Sequence, residues 1–150
     1  MSNPALTSLL LSEFVHTYQE AGQGDPTLPL AFIVLPIAMS RSTIASFAGT
    51  NRRTGCLTWL TRNPQLSLQI PSKVRLAREM TGEALSFGLA YGLLQVTAEG
   101  TLRATKKRIK VVRKNLNEER MSMIEVARNL GAWTSQLTDA MVFFSLGMVP

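Results

Sequence analysis

Residues 28 to 39, LPLAFIVLPIAM, form an unbroken apolar run of twelve that carries Pro29 and Pro36. A bilayer span needs about 20 consecutive apolar residues. The run is therefore too short to cross a membrane and too apolar to be left in water. It must be buried in a core or an interface, and the rest of the chain has to supply its cover. Ile33 and Val34 favour a strand, while the length and the lack of alternation allow a buried helix. Both stay open; a helix kinked or interrupted near Pro36 is the expectation adopted here.

The cover reads as helix. Asn3-Pro4 is a helix start, because Asn caps free N–H groups and Pro loses nothing at the first position. Leu6, Leu9, Leu10, Leu11, Phe14, Val15 and Tyr18 follow at helical spacing, and Gly22 to Pro26 ends the helix. Ser40 or Ser42 is expected to cap a short helix closed by Gly49, and residues 54 to 62 another, stopped at Asn63-Pro64. Pro71 reads as a breaker and Ser72 as a cap, so residues 73 to 92 are expected to form one long helix. Its apolar positions are Val74, Ala77, Met80, Ala84, Phe87, Gly88 and Tyr91. Val96 and Leu102 flank Ala98-Glu99-Gly100, which is the pattern of a short β-hairpin. Asn117-Glu118-Glu119 is a cap with acids in the first turn, opening a helix to about residue 137. Asp139 is expected to cap a last helix carrying Phe143 and Phe144. With 150 residues, 45% of them hydrophobic and 17% charged, the chain suits one globular domain. The expected fold is mainly α: a winged-helix-like helical domain over 1–150, one small hairpin near 94–104 and C-terminal helices over 117–147.

Few residues here are suited to catalysis. His16 is the single histidine and Cys56 the single cysteine, so neither a cysteine metal cage nor a disulfide framework is available. No Gly-x-Ser-x-Gly elbow and no P-loop occurs. Glu79 and Glu83 are four apart, but a solvated face shared with Arg75 and Arg78, with Arg75 and Glu79 at i,i+4, is a better reading than a catalytic carboxylate pair. The expectation is a protein that is not an enzyme and takes no cofactor or metal. The N-terminus lacks the basic region of a signal peptide, and a lone free cysteine suits a reducing compartment. A cytoplasmic protein with no membrane association is expected.

Charge is what remains. Arg103, Lys106, Lys107, Arg108, Lys110, Arg113 and Lys114 are seven cations with no acid among them, in a chain of net charge +6. The other residues hold nine basic and ten acidic side chains. One cationic segment on a nearly neutral body suggests contact with DNA phosphate or an acidic partner, or a solvated face. Phe143 and Phe144 are further candidates for a partner interface, since aromatic residues are enriched in interface cores.

Several phrases, in this order, carry a resemblance: NPA at 3–5, LPLAFIVLPI at 28–37, LTWLTRNP at 57–64, TGEALSFGLAYGLL at 81–94, ARNLGAW at 127–133 and the terminal SLGMVP. Together they make the chain similar to the middle component of bacterial three-component ABC systems, the group that includes Lamassu-type antiphage defence. Many relatives end in Gly-Val-basic-Pro, whereas this chain reads Gly147-Met148-Val149-Pro150. The resemblance implies a non-catalytic accessory subunit that links or regulates a coiled-coil ATPase of the SMC or Rad50 type and an effector, often a nuclease. It implies DNA contact through the ATPase complex and brings no catalytic residues with it. The alternatives are a stand-alone winged-helix DNA-binding regulator and an enzyme of unrecognised type.

Overall fold

A computed structural model describes residues 3–22, 24–107 and 117–148. Their elements are α1 (Pro4–Ala21), a 3₁₀ helix (Pro29–Ile33), α2 (Val34–Ala38), α3 (Arg41–Ala45), α4 (Cys56–Arg62), α5 (Leu66–Leu76), α6 (Arg78–Ala90), β1 (Leu94–Val96), β2 (Leu102–Ala104), α7 (Glu118–Thr134) and α8 (Asp139–Ser145). The described residues are mainly helical, with one two-stranded antiparallel hairpin.

The two long helices that cap as expected form its centre. Asn3 accepts hydrogen bonds from the N–H groups of Ala5 and Leu6, and Asn117 accepts from that of Arg120. Helices α1 and α7 are the most extensively packed pair. Gly131 lets them approach: a Cβ there would lie 2.5 Å from the carbonyl oxygen of Phe14 and 3.0 Å from the nitrogen of Tyr18. The Arg128 Nε to Glu13 Oε2 pair, at 3.0 Å, joins the same two helices.

The apolar run is helical and in the core: Leu30, Ala31 and every residue from Ile33 to Ala38 are buried. The discontinuity falls where the 3₁₀ turn passes into α2, not at Pro36. Pro36 is the third residue of α2, in the first turn, where an N–H has no intrahelical acceptor to lose.

The single helix expected over 73–92 is two. Helix α5 begins seven residues earlier, carries Pro71 inside it and ends at Leu76; α6 starts at Arg78. Burial of Leu66 and Ile70 against the core holds the turns before Pro71 in helix, overriding the proline. Pro71 leaves the Ser67 carbonyl without its intrahelical donor. The turn after α8 packs there, with Gly147 so close that a Cβ would collide with that oxygen. The break also separates Arg75 from Glu79, and Arg75 donates to Ser72 Oγ instead.

The hairpin lies where the sequence placed it, with Val96 opposite Leu102 and Gly100 at a φ of 79°. Residues 26–28 run along its outer strand: Thr27 bridges Thr101, and the Leu102 N–H donates to the Pro26 carbonyl at 2.8 Å. Helix α8 is capped by Thr138, whose side chain accepts from the Met141 N–H, rather than by Asp139. Asp139 accepts a hydrogen bond from Thr27 Oγ1 instead.

Candidate functional site

The cationic segment enters from β2, and its first members are tied down. Arg103 reaches Asp25 at 2.9 Å, Gln19 Nε2 donates to the other oxygen of Asp25 at 2.9 Å, and Gln19 Oε1 accepts the Ala104 N–H at 3.0 Å. Arg103 is thus part of a clamp that fastens the hairpin to α1. Lys107 donates from Nζ to the carbonyl of Tyr91 at 2.8 Å. That carbonyl ends α6, where a cation also complements the helix dipole. Lys106 is exposed and makes no ion pair among the described residues. Arg108, Lys110, Arg113 and Lys114 lie outside the described residues.

Phe143 and Phe144 differ. Phe143 is half-buried and lines an apolar groove of about 340 Å³ with Leu28, Pro29, Phe32, Val74 and Met148, Arg78 standing beside it. Phe144 is 79% exposed. Most of the apolar run, by contrast, is core and presents no surface.

A second cationic region is hidden by the overall charge balance of the sequence. Between Pro26 and Arg78 the chain has Arg41, Arg52, Arg53, Arg62, Lys73, Arg75 and Arg78 and not one Asp or Glu. The near balance of nine bases against ten acids concealed it, because the acids lie in other segments; a windowed charge count reveals it. All but the half-buried Lys73 are exposed. Among the described residues none of the seven pairs with a carboxylate. Lys73 instead donates to Ser40 Oγ at 2.9 Å, bringing the start of α3 against α5.

An aromatic wedge fixes this region to the centre. Phe47 stacks on Trp133 with centroids 5.2 Å apart, and Trp59 packs against both. The Trp133 indole donates to the Asn51 carbonyl at 3.0 Å, so the loop carrying Arg52 and Arg53 is held on α7.

The residues weighed for chemistry occupy ordinary places. His16 is partly exposed and pairs with Glu20 at 2.8 Å, one turn on. Cys56 is buried, and burial pushes its thiol up to about 11, against the lowering effect of the Ser145 hydroxyl. A thiol raised in this way is a poor nucleophile at neutral pH. Among the described residues no group of three or more His, Cys, Asp or Glu is placed to hold a metal, and no helix is long and apolar enough to cross a membrane.

No curated protein and no solved structure matches the chain. A family match does cover residues 1–150, so the chain belongs to the ABC-three component (ABC-3C) system Middle Component 3 family.

Proposed function

We infer that this middle component is a non-catalytic subunit of the cytoplasm that bridges the ATPase and the effector of its system, in antiphage defence of the Lamassu type. The observation that carries the reading is the family match over residues 1–150. The surface supports it: exposed aliphatic and aromatic side chains lie among cations without carboxylate partners, which suits a chain that works by contact. The ATPase would be of the SMC or Rad50 type, and the basic segment from Arg103 to Lys114 would meet DNA or an acidic face of that ATPase. Co-expression of the three components followed by affinity capture and native mass measurement tests the reading. A stable complex containing this chain is expected; a chain that stays alone at micromolar concentration overturns it.

One observation favours a second reading, a DNA-binding regulator. The hairpin follows α6 directly, and residues 26–28 lie along its outer strand, an order of elements also seen in winged-helix proteins. That reading requires the isolated chain to prefer one duplex sequence over others at equal salt. Uniform affinity across sequences rejects it.

A further inference from the structure

Helix α5 has two sides that do not resemble each other. Leu66 and Ile70 are buried, whereas Leu68 is 83% exposed and Leu76 86% exposed. At 100° per residue, positions 68, 72, 75 and 76 share one side of the helix, opposite 66 and 70. The outward side is therefore Leu68, Ser72, Arg75 and Leu76: two leucines with a guanidinium beside them. Arg62 stands at the end of α4 just before this helix, and Arg78 opens α6 just after it. The end of α8 adjoins the same helix through Gly147 and Ser67, close in sequence to the exposed Phe144.

Single exposed leucines are ordinary on protein surfaces. Two of them on one helical stripe, each more than four-fifths exposed and set in a segment of seven cations without an acid, call for a partner. The charge sign selects its chemistry. A nucleic-acid backbone would satisfy the cations but offers two leucines nothing, and protein–DNA interfaces are more polar than protein–protein ones. An acidic amphipathic helix satisfies both, laying its apolar stripe on Leu68 and Leu76 while flanking carboxylates meet Arg62, Arg75 and Arg78.

We propose that the outward face of α5 is the docking site for an acidic amphipathic helix of another component of the same system. The proposal rests on the subunit reading above and adds which surface docks and what chemistry it takes. The apolar stripe supplies the adhesion, and the surrounding cations set register and partner choice.

The test uses the full-length chain with the other two components purified, and three variants. Leu68→Ser/Leu76→Ser removes the stripe, Arg62→Glu/Arg75→Glu/Arg78→Glu reverses the rim, and Ser122→Ala on α7, outside both cationic segments, serves as a remote control. All the substituted side chains are exposed, so unchanged far-UV circular dichroism and melting temperature confirm that each variant folds. The stripe variant is expected to bind one component about a hundredfold more weakly than wild type. The rim variant is expected to lose about tenfold or more, mainly in association rate, and the control to bind as wild type. Full binding by the folded stripe and rim variants, where wild type also binds, overturns the docking site and leaves the subunit reading intact. A wild-type chain that binds neither component overturns both. Binding to a mixed-sequence duplex is measured in parallel. If the rim variant loses duplex affinity but keeps its protein partners, the occupant is nucleic acid and the proposal is wrong.

Discussion

Single residues decide how closely the central helices meet and what reacts. Gly131→Ala would drive a methyl group onto backbone atoms of α1, which cannot move aside as a flexible side chain can. The expected cost is roughly 3 kcal/mol, read as a melting temperature lower by about 10 °C. An unchanged melting temperature would show that α1 and α7 part without penalty. Thr81 points the other way. Its buried hydroxyl has no hydrogen-bond partner among the described residues, so Thr81→Val keeps the shape and is expected to stabilise by about 1 kcal/mol in denaturant titration. Cys56 couples burial to pH. The folded thiol is raised to about 11, above its value near 8.5 in an unfolded chain. Between these values the unfolded state has lost the proton and the folded state keeps it. Stability is therefore full below about pH 8.5 and falls as pH rises towards 11, by roughly 3 kcal/mol. Cys56→Ser should remove most of that alkaline loss, and iodoacetamide should label the native thiol far more slowly than the denatured one.

At the scale of elements, short pieces hold only through their partners. Two strands of three residues are marginal by themselves; here the Gln19–Asp25–Arg103 network and residues 26–28 hold the hairpin against α1. Gln19→Ala removes the acceptor of the Ala104 N–H. It should cost about 1 kcal/mol and speed hydrogen exchange at Ala104 well beyond that of the α7 amides. Equal protection at Ala104 in both proteins would show that the clamp is not what orders the hairpin. The five-residue helices α2 and α3 are likewise below the length at which an isolated helix persists. They stand because Val34 to Ala38 are buried and because Thr43 Oγ1 donates to the Ile37 carbonyl, tying one to the other.

Across the whole molecule, charge is sorted into segments. The chain from 26 to 78 is purely cationic, the chain from 103 to 114 is cationic again, and the acids lie in the remaining segments. Two separate basic regions allow two separate contacts, which suits a bridging subunit better than a uniform coat would. If the segment from 103 to 114 meets phosphate, Lys106→Gln/Lys110→Gln in the assembled complex should weaken duplex binding about equally for all sequences. It should also flatten the salt slope by about one unit per lost contact, while leaving the Lys107–Tyr91 bond in place. Unchanged affinity and slope would remove DNA from the role of this segment.

The sequence alone was enough to place both ends of α1, the start of α7, the hairpin and the burial of most of residues 28–39. Each rests on local rules: a capping Asn with a helical apolar stripe, a turn glycine with positive φ, and an apolar run that water will not accept. Local rules misplaced the helix through Pro71, because burial of Leu66 and Ile70 outweighs a proline's lost hydrogen bond, and such burial exists only once the core has formed. They also attributed the excess charge to one segment, although the second cationic region was there to be read between Pro26 and Arg78. The clamp on Arg103 and the outward side of α5 were not readable from the chain alone. Whether a cation is free or spent on a neighbour, and whether a leucine faces core or solvent, depends on residues distant in the chain that only the tertiary structure brings together.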